Sequence, residues 1–134
     1  MSHSISVYLV RKEELRNNKI ETILEHKLLE IKFKELGSNI LATTKIPNIR
    51  EFGVNKTIAK IETDYFGGSG YQTAKLFVNN KKTYDKSDEQ DWSIKPINDV
   101  LKEMGVKRTG LQDEFDTIGL GRYRKNEDFN VEQI

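Results

Sequence analysis

Residues 57–78 read TIAKIETDYFGGSGYQTAKLFV, and this stretch decides the fold. Residues 57–65 and 72–78 each place apolar side chains at every second position, which is the period-two pattern of strands. The intervening residues, 66–70, suit a hairpin turn in which glycine supplies positive φ. The stretch therefore predicts two antiparallel strands joined by a glycine-assisted turn.

The GGSG sequence at 67–70 has a second interpretation, a loop that holds a ligand. A Walker-type phosphate loop needs wider glycine spacing followed by Lys and Ser or Thr, whereas Tyr71 and Gln72 occupy those places here. The dinucleotide-binding motif G-x-G-x-x-G is also absent, because Gly68 and Gly70 are not followed by a third glycine at the required position. The sequence favours a turn and leaves a small-molecule or enzymatic site centred on Asp64, Tyr65 and Gln72 as the alternative.

Three segments carry helical patterns. Residues 20–36 place Ile and Leu at three- and four-residue steps, with Gly37 where a helix C-cap would stand. Residues 93–104 have Pro near the start and Gly105 past the end, which is typical of a short helix. A last helix is predicted within residues 111–118.

The other segments are predicted to form one more strand and several loops. Residues 4–10 (SISVYLV) alternate as a strand does. Turn-forming residues within 45–55 indicate irregular structure with only brief helical pieces. Residues 79–82 offer a turn and residues 83–92 are polar and acidic, while the charged tail is expected to fray from about residue 125.

Length and composition exclude several classes of protein. The 134 residues suit one domain, and a net charge of +1 gives no general field for nucleic acid or anionic lipid. The absence of cysteine excludes disulfides and thiolate chemistry and is compatible with a reducing cytoplasm. The start, MSHSISVYLV, has neither a basic leader nor an apolar run of membrane-spanning length. We therefore predict a cytoplasmic, single α+β domain, with an antiparallel sheet and helices packed on one face.

Catalytic and metal-binding constellations are sparse in the sequence. The two histidines are His3, expected at a mobile terminus, and His26, which has Glu30 four residues later. One such pair on a charged segment is typical of a solvated face, and neither histidine has the neighbours of a Ser-His-Asp site. Residues 122–125 contain three basic side chains but lack the extended stripe of a nucleic-acid site. We predict no metal, no cofactor and no enzyme activity.

Side chains around the turn are candidate binding residues. Tyr65, Phe66 and Tyr71 flank the reversal, where exposed aromatic rings can anchor a partner. The alternative is that the two tyrosines cap the edge of the core. Asp64 and Gln72 would then hydrogen-bond either to a ligand or to amides of the loop itself.

A second group of candidates is acidic. Asp85, Asp88, Glu89 and Asp91 are followed immediately by Trp92. Four carboxylates beside one aromatic ring suit docking on a basic surface. The alternative is a solvated loop whose tryptophan folds back onto the core. The spacing is not that of the twelve-residue calcium loop.

Three segments resemble one family of small, stand-alone bacterial proteins. They are TDYFGGSGYQTAKLF (63–77), PINDVLKEMGV (96–106) and DEFDTIGLGRYRKNEDF (113–129), about a third of the chain. The family motifs are a YFGG-x-G-x-Q hairpin and a DEF-x-x-x-GLGR-x-R-x-x-E-D ending. This chain differs by having Phe77 and Phe129 where that family often has tryptophan, and Tyr123 where it often has histidine. The last difference weakens any assignment of histidine chemistry to the ending.

The resemblance implies a binding role. The family has no established enzyme activity, and some members look like immunity proteins encoded beside secreted or contact-delivered bacterial toxins. It implies a cytoplasmic protein that neutralises a cognate toxin by occluding its active site, and an acidic surface suits a toxin that is a basic nuclease. We expect neither a membrane nor a nucleic-acid partner. The expected partner surface comprises Asp64, Tyr65, Tyr71, Gln72, Asp85, Asp88, Glu89, Asp91 and Trp92.

Overall fold

The computed structural model describes residues 2–14, 20–24, 27–31, 33–46, 49–66, 69–88 and 95–129. Its strands are β1 (Ser2–Arg11), β2 (Ile20–Leu24), β3 (Lys27–Ile31), β4 (Lys34–Glu35), β5 (Ile40–Thr43), β6 (Thr57–Phe66), β7 (Ser69–Val78) and β8 (Lys81–Asp88). Its α-helices are α1 (Ile49–Phe52), α2 (Lys95–Glu103) and α3 (Glu114–Thr117). Short 3₁₀ turns lie at Lys12–Glu14, Leu120–Arg122 and Asn126–Phe129.

Six strands form one antiparallel sheet in the order β4-β5-β1-β6-β7-β8, and β2 pairs with β3 in a separate hairpin. The predicted α+β architecture with an antiparallel sheet is confirmed. The pairing of β1 with β6 runs from Ser2 opposite Phe66 to Val10 opposite Ile58. The N-terminal strand therefore lies inside the sheet and not at its edge.

One face of the sheet is covered by α2 and α3, and we call it the helix face. Alternate residues of β1, β6 and β7 point to it and pack against the apolar side of α2. Gly105 follows α2 with a φ of 92°, as the predicted C-terminal glycine of this helix requires. The main members of this core are Ile5, Val7, Leu9, Ala59, Ile61, Ala74, Leu76, Ile97, Val100, Leu101, Met104, Phe115, Ile118, Leu120 and Phe129.

The opposite face, which we call the open face, is covered only at one end. There α1 contributes Phe52 to a smaller apolar cluster with Val10, Leu41 and Ile58. Further along β6 and β7 the side chains of this face are polar or aromatic and partly exposed. The alternation of β6 thus puts an apolar set on the helix face and a partly exposed, mostly polar set on the open face.

The predicted helix at 20–36 is wrong, because the backbone there forms β2, β3 and β4. The three- and four-residue apolar spacing has a different cause. The hairpin register sets Ile20 opposite Ile31 and Ile23 opposite Leu28. Apolar spacing of three and four residues is typical of a helix, but it does not reveal pairing between two segments of the chain.

Three further expectations need correction. The turn expected at 79–82 is present but limited to residues 79–80, and the expected acidic loop is the edge strand β8 up to Asp88. The last helix is restricted to Glu114–Thr117. The tail does not fray before residue 129, since the Ser4 amide donates to the Arg124 carbonyl at 2.7 Å and Phe129 is buried.

Candidate functional site

The predicted hairpin at 57–78 is confirmed, and its strands reach further toward the turn than expected. Asp64 pairs with Tyr71 and Phe66 with Ser69, so only residues 67–68 connect the strands, and these lie outside the described residues. A Cβ on Gly70 would collide with the carbonyl oxygen of Asp64, which explains why glycine stands at that position. The close strand pairing supports a turn at GGSG.

Strand alternation divides the predicted binding residues into two pairs. Tyr65 and Gln72 point to the helix face and are 2% and 0% exposed, whereas Asp64 and Tyr71 lie on the open face. The expectation that all four contact a partner is therefore corrected for Tyr65 and Gln72. The alternative site centred on Asp64, Tyr65 and Gln72 also lacks geometric support, because these groups do not converge.

Tyr65 and Gln72 have a structural role. Gln72 Nε2 donates to the Tyr65 hydroxyl at 3.0 Å, and Gln72 Oε1 accepts from the backbone amide of Ile97 at 3.4 Å. Ile97 is in the first turn of α2, where backbone amides have no partner within the helix. Burial raises the pKa of Tyr65 above its usual value, so this hydroxyl stays protonated near neutral pH. The pair fixes the start of α2 on the sheet.

On the open face, Asp64, Phe66 and Tyr71 form what we call the hairpin-end surface. Phe66 is 79% exposed and Tyr71 is 41% exposed, and Asp64 lies directly opposite Tyr71. Large apolar side chains are seldom left in water without a function when they cluster. Phe66 belongs to the aromatic group around the turn, but it is not one of the residues expected to contact a partner. Strand alternation puts Phe66 on the same face as Asp64, and this alternation is the sequence feature that could have identified it.

A depression of about 190 Å³ lies beside the hairpin-end surface. Two carboxylates, Glu62 and Asp64, line it. Glu62 is held by the hydroxyl groups of Ser6 at 3.4 Å and Thr73 at 3.5 Å. The surface therefore combines negative charge with two exposed rings, which suits a basic partner.

The acidic candidates on β8 do not join this surface. Asp85 is exposed opposite Lys75 and accepts from Lys82 Nζ at 2.9 Å, and that hydrogen bond lowers the pKa of Asp85. Asp88 is half-buried opposite Gln72. Glu89, Asp91 and Trp92 lie outside the described residues, and their part in the expected partner surface stays a prediction.

His3 is buried inside the fold, which corrects its expected place at a mobile terminus. Its Nε2 lies 3.3 Å from the Leu120 carbonyl oxygen, which can only accept, so Nε2 carries the proton. Nδ1 then accepts from the Thr63 hydroxyl at 2.7 Å. Burial lowers the pKa of His3 and Arg124 adds to this, while the Leu120 carbonyl and the Asp128 carboxylate act in the opposite direction. The imidazole is therefore neutral at physiological pH.

The DEF segment at 113–115 also has structural roles. Asp113 caps α3 by accepting from the Asp116 amide at 2.9 Å. The Glu114 carboxylate is buried, and one of its oxygens accepts from Arg108 Nε at 2.9 Å. Phe115 is in the core on the helix face. Each residue of the segment therefore has a structural role.

Across the residues that the structure describes, no group of three or more His, Cys, Asp or Glu side chains is arranged to hold a metal ion. No helix in the same ranges is both long enough and apolar enough to cross a membrane. No protein-family model matches the chain, and comparisons with curated proteins and with solved structures give no significant match.

Proposed function

We propose that this chain is a cytoplasmic immunity protein that binds a cognate bacterial toxin and neutralises it by occluding its active site. The observation that carries the proposal is the hairpin-end surface, in which Phe66 and Tyr71 are exposed beside Asp64. The resemblance of the hairpin and C-terminal motifs to immunity-type proteins supports the same role. Such a protein needs a stable fold and a complementary surface and requires no catalytic group.

The hairpin-end surface has the properties of a binding hot spot. An aromatic ring supplies a large contact area with few rotatable bonds, so little conformational entropy is lost when it is buried by a partner. Phe66 and Tyr71 belong to paired strands, and their backbone positions are therefore fixed before binding. The carboxylates of Asp64 and Glu62 would face basic residues of the toxin and speed association.

The proposal is tested by co-expressing the chain with the toxin encoded beside its gene. We expect the wild-type chain to restore bacterial growth and to co-purify with the toxin. The double variant Phe66→Ala/Tyr71→Ala should lose both protection and co-purification. Leu111→Ala is the matched control, because Leu111 is also an exposed apolar residue but lies on the loop before α3.

Two results would contradict the proposal. The first is that the wild-type chain neither binds nor protects against any toxin encoded next to it. The second is that the double variant protects as well as the wild type, because the hairpin-end surface would then not be the contact. Circular dichroism of the variant separates loss of binding from loss of folding.

A further inference from the structure

A second concave region lies on the open face, nearer the start of β6 than the hairpin-end surface. It is a cleft of about 640 Å³ between α1 and the paired strands β6 and β7. Cavities of this size commonly accept small organic ligands. Four cationic side chains line the cleft, with Glu62 as the carboxylate of the lining. They are Arg50, Lys56, Lys60 and Lys75.

The two lysines on the floor of the cleft face each other. Lys60 on β6 is directly opposite Lys75 on β7, and like charges in this position destabilise a sheet. The Lys60 ammonium lies 4.1 Å from the centroid of the Tyr8 ring. Burial lowers the pKa of Lys60 and Lys75 contributes to the lowering, against the opposing effect of Glu62. The fold thus places two cations directly opposite each other, with the Tyr8 ring and Glu62 beside Lys60.

Nearby carboxylates balance only part of this charge. Within the described ranges, none of the four cations forms an ion pair with another described residue. Asp85 is opposite Lys75 on β8, but its carboxylate is bonded to Lys82. Glu62 is one carboxylate against four cations in the lining of the cleft. The cleft is therefore a concentrated positive site on a chain whose net charge is only +1.

The wall of the cleft is fixed by the turn between β7 and β8. Asn79 and Asn80 have φ values of 49° and 66°, the left-handed conformation of a two-residue hairpin turn. Asn80 Nδ2 donates to the Arg50 carbonyl at 2.7 Å, and Asn79 Oδ1 accepts from the Asn55 amide at 2.9 Å. A Cβ on Gly53 would collide with Asn80 Oδ1. These contacts hold α1 in place without a ligand.

We propose that this cleft binds a small organic polyphosphate of the nucleoside triphosphate class. Lys60 and Lys75, with Lys56 and Arg50 at the rim, hold the phosphate oxygens, and a phosphate between the two opposed ammonium groups removes their repulsion. The Phe77 side chain, which also lines the cleft, packs against the apolar or aromatic part of the ligand. The inference does not rest on the proposed toxin contact, although Glu62 lines both concave regions.

Isothermal titration calorimetry with four probes tests the site. The probes are ATP, pyrophosphate, adenosine and a short single-stranded oligonucleotide. We expect ATP to bind more tightly than pyrophosphate and adenosine to show no binding. Affinity for ATP should fall as salt is raised, because the contacts are ionic. Lys60→Gln and Lys75→Gln should each weaken ATP binding about tenfold.

Two further variants make the test specific. Phe77→Leu should weaken ATP binding and leave pyrophosphate binding unchanged, since pyrophosphate has no ring to pack. Lys102→Gln, at an exposed position on α2, should change neither. The inference is overturned by failure of both ATP and pyrophosphate to bind at millimolar concentration. It is also overturned by ATP affinity that is unchanged in Lys60→Gln/Lys75→Gln, or by an oligonucleotide that binds more tightly than ATP.

Discussion

Gln72 and Tyr65 form a buried hydrogen bond of 3.0 Å between neighbouring strands, on the helix face of the sheet. The same Gln72 side chain accepts from the Ile97 amide. One amide group therefore connects β6, β7 and the start of α2. Tyr65 and Gln72 were expected to bind a partner, but they form a buried polar connection inside the core.

Removing the Tyr65 hydroxyl should lower stability without changing the shape of the core. In Tyr65→Phe the buried Gln72 Nε2 loses its acceptor, and an unsatisfied buried donor costs about 1–3 kcal/mol. We expect urea denaturation to show a decrease of this size in the free energy of unfolding. Tyr71→Phe is the control, because that ring is exposed on the open face. Equal decreases in the free energy of unfolding of the two variants would contradict the structural role of the Tyr65 hydroxyl.

The buried His3 should make stability depend on pH. Its folded pKa is lowered, so the unfolded chain binds more protons between that value and the usual pKa of about 6.5. The stabilising contribution is complete above about pH 6.5 and is lost as pH falls through this window. Denaturation curves from about pH 8 to pH 5 should show the decrease. His3→Gln should flatten this decrease in stability.

Substitution of Phe66 should weaken toxin binding with little effect on folding stability. Because its ring is largely in water, Phe66→Ala should change the free energy of unfolding by less than about 0.5 kcal/mol. Its loss at a hot spot should weaken toxin binding by about 2 kcal/mol or more. Denaturation and a binding titration on the same preparation measure the two effects. A large loss of stability would show that Phe66 serves the fold.

Arg108 should stabilise the fold through the Glu114 carboxylate. Glu114 is buried and its second oxygen has no hydrogen-bond partner, whereas the Arg108 side chain is mostly exposed. Arg108→Ala should cost about 1–3 kcal/mol, more than a surface ion pair and less than a fully buried one. Adding Glu114→Gln should recover part of the loss, because the uncompensated charge is removed. Lys107→Ala, at an exposed neighbour, serves as the control for the unfolding measurement.

The local sequence pattern was sufficient to predict the strands and helices that have one apolar face and one polar face. The strands around 57–78, the N-terminal strand and α2 could be predicted because alternation or helical spacing matches their burial. It failed for β8, an edge strand whose residues are polar on both sides and mostly exposed. It failed for β2 and β3 because the pairing of Ile23 with Leu28 is an interaction between two strands. Such pairing is not visible in helical spacing.

The candidate site was less predictable, because function depends on which face of a strand a residue occupies. Asp64 and Tyr65 are adjacent in sequence and lie on opposite faces of the sheet. Strand alternation alone assigns the two residues to opposite faces. The sequence does not show which of the two faces α2 covers. The opposed Lys60 and Lys75 required the hairpin register as well.

The C-terminal segment is hydrogen-bonded to β1, and this contact affects the order in which the fold forms. The Ser4 amide bonds to Arg124, and the Ser6 amide donates to Asn126 Oδ1 at 2.7 Å. The contacts of β1 are therefore complete only when residues 120 positions further along the chain are available. Contacts between residues so far apart in sequence are slow to form. We expect β1 to pair with β5 and β6 first and to gain its contacts with the C-terminal segment last.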